Sequence, residues 1–195
     1  MITGKYPSLR MRRSRKSDWS RRLIEENNLT SNDFILPIFL IDGKNKKQSI
    51  KSMPGVYRYT IDKLNNIVDR AIKKSIPMIA LFPYTEKRKK NDLGTEALNE
   101  NNLVCRALQR IKNKYKNEIG IMCDVALDPY TLHGHDGLLQ NKYVLNDETI
   151  KILLDQSLLQ AQMGCDVLAP SDMMDGRIGE IRKYLDKHNF KMTQI

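Results

Sequence analysis

The amino-acid sequence predicts an α/β protein with a parallel sheet, organised as roughly the first half of a TIM (β/α)8 barrel behind an N-terminal arm. Short apolar runs alternate strictly with segments of helical periodicity, which is typical of parallel strands joined by crossover helices. Polar residues follow the third and fourth apolar runs, and strand carboxyl ends form the catalytic face of a TIM barrel. The phosphate-binding patterns GxGxxG and GxxxxGK are absent from the sequence, which disfavours the nucleotide-binding α/β folds.

The predicted elements follow one another in a regular order. The strands are predicted at residues 34–41, 77–82, 119–127, 166–170 and, as the start of a fifth, 191–195. Helices are predicted at residues 61–74, 96–115, 148–163 and 177–188. Thr60 and either Asn146 or Asp147 are the predicted helix caps, and Gly164 is a stop signal. A full barrel needs eight strand–helix units in about 250 residues, so the chain is expected to end in mid-barrel.

The N-terminal segment differs from the rest of the chain. Residues 1–30 show no strand pattern, and only residues 19–28 can form a short helix, with Asp18 near its start. We therefore divide the chain into an N-terminal arm at residues 1–30 and a partial barrel at residues 31–195.

The formal net charge of +10 is concentrated in two clusters. Residues 10–22 contain seven basic residues and one acid, and Lys87-Arg-Lys-Lys90 is the second cluster. Basic clusters can bind nucleic acid, but only Trp19 interleaves the first one and no nucleic-acid motif follows. We expect charge that is solvated or contacts another subunit, and no nucleic-acid partner.

Composition favours one soluble domain in a reducing compartment. The hydrophobic content of 41% and charged content of 29% are ordinary for globular proteins. No apolar run approaches the roughly 20 residues of a membrane span, and no apolar segment follows the basic N-terminus as in a secretory signal. Cys105, Cys123 and Cys165 form neither a disulfide framework nor a CxxC pair, and the last two are expected to be small buried thiols. A cytoplasmic location without membrane association is the expectation.

The stretch from residue 119 to residue 137 is the candidate site. Its apolar run contains Asp124, and a buried carboxylate needs partners or a shifted pKa. A structural acid and a site acid are both open from this residue alone. Asp128, His133, His135 and Asp136 then follow within nine positions, which favours a site.

Two long motifs carry a family resemblance. Residues 124–137, DVALDPYTLHGHDG, resemble the metal-site loop of the porphobilinogen synthase (delta-aminolevulinate dehydratase) family, and residues 169–182, APSDMMDGRIGEIR, match its second motif. Shorter matches, in the family's order and covering nearly the whole chain, are RMRR at 10–13, LPIF at 36–39, SMPGV at 52–56 and ALFP at 80–83. The resemblance implies a barrel enzyme, a hydro-lyase of tetrapyrrole and haem biosynthesis, that condenses two delta-aminolevulinate molecules to porphobilinogen with loss of two waters. It also implies a homo-oligomer, an octamer or a hexamer, whose arm wraps a neighbouring subunit.

The resemblance implies roles for individual residues. Asp124 matches the active-site acid, placed to move protons or to steady an imine cation, and Ser171 matches an active-site serine that binds substrate. Ser171 could instead cap the helix that follows it. Asp172 and Asp175 remain open between caps or turn residues and catalysts, and Arg177 remains open between a site residue and a salt bridge.

The family's chemistry uses two Schiff-base lysines that follow the second motif, beyond Ile195. Lys191 does not match the lysine motif, so the chain is expected to be inactive by itself. The alternative function is a non-catalytic half-barrel that acts only structurally. Such a fragment would have two open sheet edges and is expected to aggregate or swap domains.

The metal preference follows from the same loop. Zinc-dependent members place three cysteines where this chain has Ala126, Asp128 and Asp136, so the resemblance points to the branch without catalytic zinc. Asp128 and Asp136 could bind a hard cation or water, or only hydrogen-bond the loop. Magnesium is implied as an allosteric cofactor whose carboxylate ligand would lie beyond Ile195. His133 and His135 have possible ligand spacing, but the favoured interpretation is that they shape the loop by hydrogen bonds.

Overall fold

The computed structural model describes residues 4–195, which form an open, mostly parallel sheet with helices packed against it. The strands are β1 (Ile35–Ile41), β2 (Lys47–Ser49), β3 (Tyr57–Tyr59), β4 (Met78–Tyr84), β5 (Gly120–Val125), β6 (Leu138–Gln140), β7 (Tyr143–Leu145) and β8 (Val167–Pro170). The α-helices are α1 (Asp18–Leu23), α2 (Leu64–Lys73), α3 (Leu103–Tyr115), α4 (Asn146–Gln162) and α5 (Arg177–Lys187). Single 3-10 turns cover Met11–Arg15, Ser31–Asp33, Ile61–Lys63, Lys87–Lys89 and Thr95–Leu98.

The four long strands of the sheet run parallel, in the order β1-β4-β5-β8. The β1–β4 pairing runs from Ile35 opposite Met78 to Ile41 opposite Tyr84. Because all four strands share one direction, their carboxyl ends lie at one edge of the sheet. The predicted α/β class and the first four predicted strands are therefore confirmed.

The two faces of the sheet differ in burial. Along β5, Ile121, Cys123 and Val125 are fully buried, whereas the alternate residues Met122 and Asp124 are partly exposed. Since successive side chains of a strand point to opposite faces, the buried set faces the helices and Asp124 faces away from them. The core on the helix side is a single cluster that includes Leu40, Leu64, Val68, Ile79, Leu81, Leu108, Ile111, Leu153, Leu168 and Ile181.

The sheet formed by residues 4–195 does not close into a barrel. Beyond β8, only Gln194 continues the parallel pairing, by bridging Val167 and accepting a hydrogen bond from the backbone N–H of Leu168 at 2.9 Å. The predicted fifth strand at residues 191–195 is thus reduced to one bridge, because only its last residues reach the edge of β8. The TIM barrel stays a prediction.

Two predicted helix starts are corrected. Thr60 precedes a 3-10 turn, but its hydroxyl does not cap that turn. The hydroxyl instead accepts from the Lys46 N–H at 3.0 Å and donates to the Lys46 oxygen at 3.3 Å. Asn146 is the first residue of α4 after Leu145, so neither it nor Asp147 is the cap. The Asn146 amide instead reaches across to the backbone of Asp175, 29 residues away, which makes this side chain a tertiary contact that local pattern could not reveal.

The predicted helix at residues 96–115 is interrupted. It divides into the turn Thr95–Leu98 and α3, which begins at Leu103. The side chain of Asn99 accepts from the backbone N–H of Asn101 at 2.9 Å, and Asn102 caps α3 by accepting from Cys105 N–H at 2.9 Å. Asparagine side chains that bond nearby backbone groups compete with helical hydrogen bonds, so the helix breaks where they cluster.

Two short hairpins were not predicted. β2 pairs antiparallel with β3 beside β1, and β6 pairs with β7 directly after the candidate site loop. The β6–β7 turn has φ of 52° at Asn141 and 65° at Lys142, the positive values that a type I′ turn needs at both central positions. Each of these strands has only three residues, too few for an alternating pattern to show.

The arm lies largely outside the core. Its helix α1 spans Asp18–Leu23, shorter than the predicted 19–28, and Trp19 and Leu23 are exposed by 66% and 78%. Only Ser20 is buried in α1, with its hydroxyl donating to the backbone oxygen of Ser14 at 2.6 Å. None of the helices in residues 4–195 is long and apolar enough to cross a bilayer.

Candidate active site

Asp124 is a carboxylate near the carboxyl end of β5, the strand between β4 and β8. Burial raises its pKa from 3.8 to about 6, and the nearby carboxylates of Asp128 and Asp172 contribute in the same direction. Its backbone oxygen accepts a hydrogen bond from the side-chain amide of Gln160 on α4 at 2.9 Å. A carboxyl group with a pKa near neutrality can both donate and accept a proton at pH 7.

A cavity of about 280 Å³ opens beside Asp124 at the carboxyl ends of β1, β4 and β5. It is lined by Phe39, Arg58, Phe82, Pro83, Tyr84, Lys90, Asp124, Asp128 and Pro129. The rings of Phe39 and Phe82, opposite each other in the β1–β4 register, stack with their centroids 5.6 Å apart. The cavity therefore has an apolar aromatic wall facing a pair of carboxylates.

Two cations line the same cavity. The guanidinium of Arg58 lies 4.5 Å from the centroid of the Tyr84 ring, and the ammonium of Lys90 donates to the backbone oxygen of Asp128 at 3.3 Å. Sequence reasoning missed both as site residues. The signal for Lys90 was the basic cluster at residues 87–90, which we interpreted as solvated or subunit-contacting charge.

That interpretation of the basic cluster is corrected residue by residue. Lys87 is exposed, and Arg88 forms an ion pair with the nearby Glu86. Lys89 instead forms a 2.8 Å ion pair with Asp42 at the end of β1, and Lys90 lines the cavity. The backbone conformation at the 3-10 turn directs the side chains of Lys89 and Lys90 differently. No sequence pattern predicts this difference.

Asp42 is the centre of a partly buried ion-pair network. It binds Lys89 and Arg106, and Lys89 also lies 3.6 Å from Glu96. Burial works to raise the pKa of Asp42, but hydrogen bonds and charge from Lys89 and Arg106 outweigh it, so the pKa is lowered. The network joins the β1 end to α3 and to the segment at residues 87–96 beside the cavity.

The loop after β5 is held by hydrogen bonds to that same segment. Asn91 donates its N–H to the Tyr130 oxygen and accepts from Leu132 N–H, each at 3.3 Å. The ring of His133 accepts from the N–H of His135 through Nδ1 at 3.1 Å, and its Nε2 lies 3.4 Å from the Asp92 oxygen. Both contacts of His133 are therefore with backbone groups, as loop-shaping roles require.

The carboxylates of the loop interact with one another. Partial burial and the charge of Asp136 raise the pKa of Asp128, although its own backbone and Lys90 oppose the shift. Within residues 4–195, no three His, Cys, Asp or Glu side chains converge closely enough to hold a metal ion. A cation site at Asp128 and Asp136 therefore stays a prediction.

Ser171 and Asp172 follow β8 next to Asp124. Asp124 lies opposite Ala169 in the β5–β8 register, and the backbone N–H of Ser171 donates to the Val125 oxygen at 3.0 Å. Ser171 is exposed and does not cap α5, because the residue before that helix is Gly176, with φ of 80°. The cap interpretation of Ser171 is therefore wrong.

Asp172 and Arg177 form an ion pair under the β8–α5 loop. The Asp172 side chain is fully buried; its Oδ1 lies 3.0 Å from Arg177 Nε and accepts from Met174 N–H at 2.8 Å. Burial raises the pKa of Asp172, with Arg177 opposing the shift. Both residues thus shape the loop, and Asp175 meets Asn146 through its backbone.

The remaining polar candidates are buried structural groups. All three cysteines are buried, and burial raises the pKa of Cys105 to about 11 and that of Cys123 well above its usual range. Cys165 donates to the Val167 oxygen at 3.1 Å. The interpretation of Cys123 and Cys165 as small buried thiols is confirmed by their burial.

Known proteins resemble this chain over almost its whole length. The family model described as delta-aminolevulinic acid dehydratase matches residues 8–195. The delta-aminolevulinic acid dehydratase of Bradyrhizobium diazoefficiens is 53% identical over 188 residues, which cover 96% of this chain and 53% of that protein. That of Ruminiclostridium josui is 36% identical over 93% of this chain and 87% of its own.

A solved structure gives the same result. The delta-aminolevulinic acid dehydratase (porphobilinogen synthase) of Toxoplasma gondii, in complex with the reaction product porphobilinogen, superimposes with a TM-score of 0.89 and 34% identity. The match covers 94% of this chain and 52% of that chain, so this chain spans about half the length of that relative and of the Bradyrhizobium protein. With the β5 and β8 motifs placed at one sheet edge, the chain belongs to the delta-aminolevulinic acid dehydratase family.

Proposed function

We propose that this chain forms the Asp124 side of a porphobilinogen synthase active site, which condenses two delta-aminolevulinate molecules to porphobilinogen with loss of two waters. The observation that carries the proposal is the half-buried Asp124 carboxylate, with its pKa raised to about 6, in a cavity at the carboxyl ends of parallel strands. The relatives' names and the product bound to the Toxoplasma enzyme support the same reaction.

The proposed reaction needs proton transfers, and Asp124 is suited to them. Loss of each water requires a proton on the departing oxygen, and a carboxyl group that is half protonated near pH 6 can deliver it and then accept another. The stacked Phe39 and Phe82 rings exclude water from one side of the cavity. Ser171, next to the β8 end, is proposed to hydrogen-bond substrate.

The proposed fold of the working enzyme is the complete (β/α)8 barrel. Gln194 already continues parallel pairing beyond β8, and the longer relatives supply sequence for further units. In this arrangement residues 31–195 are the first part of the barrel and residues 1–30 the arm. The exposed Trp19, Leu23 and Leu29 of the arm support the proposal that it packs on another subunit of a homo-oligomer.

Other features of the proposed enzyme rest on the family resemblance. The Schiff-base lysines are expected outside residues 1–195, magnesium is proposed as an allosteric ion, and a cytoplasmic location is proposed. Asp128 and Asp136 stand where other members have zinc-binding cysteines, so catalytic zinc is not expected.

The test is formation of porphobilinogen by the protein isolated from cells that carry its natural gene. Delta-aminolevulinate is added, the pyrrole product is measured with an aldehyde colour reagent, and borohydride is used to trap the substrate imine on a lysine. Replacing Asp124 by Asn is expected to lower kcat by at least about 100-fold, the usual contribution of a general acid, while imine trapping persists. Absence of both product and trapped imine in the unaltered protein would favour the non-catalytic alternative.

A further inference from the structure

The cavity beside Asp124 contains a guanidinium to which the reaction has not yet given a role. Arg58 lies on β3, its side chain is partly buried, and its guanidinium lies 4.5 Å from the centroid of the Tyr84 ring. Among residues 4–195, this guanidinium forms no ion pair and no side-chain hydrogen bond. A guanidinium carries five N–H donors, so Arg58 is available to bind an anion in the cavity.

The strand register places Arg58 in one row with the site residues. Arg58 on β3 lies opposite Phe39 on β1, and Phe39 lies opposite Phe82 on β4. The β4–β5 pairing runs to the two residues just before Phe82 and Asp124, so these two side chains point to the same side of the sheet. A row of four side chains therefore crosses β3, β1, β4 and β5, with a cation at one end and a carboxylate at the other.

The row separates the two charges by an apolar stretch. Neighbouring strands are about 4.8 Å apart, so three spacings put about 14 Å between the backbones of Arg58 and Asp124. The stacked rings of Phe39 and Phe82 lie between them, and Asp128 lines the same cavity. The cavity is thus suited to a short molecule with an anionic end, an apolar middle and a cationic end.

Lys90 is the other cation of the cavity, and it is less suited to bind the anionic end. Its ammonium donates to the backbone oxygen of Asp128 at 3.3 Å, so it lies on the side of the carboxylates. An anion bound there would be repelled by Asp124 and Asp128. Arg58 instead presents a planar fork of N–H groups, which matches the two oxygens of a carboxylate.

The backbone that carries Arg58 is held on both sides. It pairs with Phe39 on β1 and with Gln48 on β2. Two residues later, the Thr60 hydroxyl bonds both backbone groups of Lys46. The strand is therefore already in place before a ligand arrives, and binding does not have to order it.

We propose that Arg58 binds the carboxylate of one of the two delta-aminolevulinate molecules, whose amine end then lies along the Phe39 and Phe82 rings toward Asp124. This inference rests on the proposed function, since it names how that site recognises its substrate. Repulsion of the substrate carboxylate by Asp124 and Asp128 disfavours the reversed orientation. Arg58 thereby makes a free carboxylate a requirement for binding.

The test measures binding rather than turnover, so that it can be separated from the proposed reaction. Levulinate, which has the carboxylate and the ketone of the substrate but not its amine, is titrated by calorimetry into the protein isolated from cells that carry its natural gene. Methyl levulinate, in which the carboxylate is an uncharged ester, is titrated in the same way. The parent protein is expected to bind levulinate at least about tenfold more tightly than the ester, as a charge-assisted bidentate contact requires.

Arg58→Gln is expected to bind both compounds within about twofold of each other, because the ester loses nothing and levulinate loses its charged partner. Arg58→Lys keeps the charge without the fork and is expected to lie between the parent and Arg58→Gln. Arg110→Gln is the matched control, since it removes an arginine from an exposed position on α3, and it is expected to keep the preference of the parent.

The inference is overturned if Arg58→Gln keeps the preference for levulinate, if Arg110→Gln loses it equally, or if the parent binds both compounds alike. A preference that depends on Arg58 in a protein that forms no porphobilinogen would overturn the proposed function but leave the carboxylate site standing. Porphobilinogen formation together with an unchanged preference in Arg58→Gln would overturn this inference alone.

Discussion

The side-chain amide of Gln160 donates to the backbone oxygen of Asp124 at 2.9 Å, and one turn earlier on α4 Gln156 donates in the same way to the Ala126 oxygen at 3.1 Å. Both glutamines are buried. The β4–β5 pairing ends at Leu81 opposite Cys123, so the strand beyond that point takes donors from α4. A buried carbonyl without a hydrogen-bond donor costs free energy of folding. The two glutamine amides remove that cost by donating to the carbonyls of Asp124 and Ala126.

Replacing Gln160 by Met is expected to lower the free energy of unfolding by about 1–2 kcal/mol. The backbone oxygen of Asp124 then loses its donor, while the buried and unpartnered Oε1 of Gln160 is removed at the same time, which limits the loss. Urea denaturation measures the change. Gln162→Met, at an exposed position on the same helix, is expected to stay within about 0.5 kcal/mol, and an equal loss in both variants would contradict the assignment.

The strands could be predicted because each apolar run is long enough to be recognised as a strand in the sequence. Asp124 was identifiable because a lone acid interrupts such a run, and its raised pKa has the expected physical cause. The two long motifs placed Asp124 and Ser171 near each other, which the β5–β8 register agrees with.

The rest depended on contacts between distant residues. In the sequence, Gln160 is an ordinary polar helix residue. Its role depends on the packing of α4 on β5, where it bonds Asp124, 36 residues earlier in the chain. Nothing in the sequence distinguishes Lys90 from an exposed lysine. Its side chain lines the cavity because the neighbouring Lys89 is anchored to Asp42. Asn146 is a residue type that often caps helices, but its side chain hydrogen-bonds the backbone of Asp175 instead. Such pairings are fixed by tertiary geometry, which local propensity does not contain.

Asp124→Asn is expected to stabilise the chain at pH 7 by about 2 kcal/mol. Folded Asp124 titrates near 6 rather than at 3.8, so between these values the folded state binds more protons than the unfolded state. The contribution of Asp124 to stability is present below pH 3.8 and is lost as the pH rises through 6. Asparagine is neutral throughout, and its advantage therefore vanishes in acid.

Urea denaturation at pH 4 and pH 7 measures this difference. Asp62→Asn is the control: hydrogen bonds from Thr60 and the Asn45 N–H lower the pKa of Asp62, so its removal is expected to destabilise at pH 7. A destabilised Asp124→Asn at pH 7, or an advantage that does not change with pH, would show that the Asp124 carboxylate is not desolvated in the folded chain.

The Asp42–Lys89 pair is expected to stabilise the fold more than an exposed pair does. Their side chains are exposed by only 17% and 30%. A double-mutant cycle with Asp42→Asn and Lys89→Met is expected to give a coupling energy of about 1 kcal/mol, with faster amide exchange at Asn91. Because the pKa of Asp42 is lowered, the coupling is present at neutral pH and is lost as the pH falls through that pKa.

The matched control for that cycle is Glu180 with Lys183 on α5, a 2.7 Å pair whose side chains are exposed by 47% and 75%. Its coupling energy is expected to be near zero, at most about 0.5 kcal/mol, because solvent screens it. Equal coupling in both pairs would mean that the Asp42 network does not fasten the segment that carries Lys90.

Gly137→Ala is expected to destabilise the chain by about 1–3 kcal/mol. A Cβ at residue 137 would lie 2.6 Å from Val144 Cγ1 and 2.9 Å from Thr149 Oγ1, where the site loop meets β7 and α4. The Thr149 hydroxyl cannot retreat freely, because it accepts from the N–H of Leu138 at 2.9 Å. Gly179→Ala is the opposite case: apart from its chain neighbours and the backbone of its own helix, nothing lies within 4 Å of the added carbon in α5, and alanine favours the helix by up to about 1 kcal/mol. Thermal or urea denaturation of both variants should give shifts of opposite sign, and a stabilised Gly137→Ala would mean that the loop does not pack on α4 in solution.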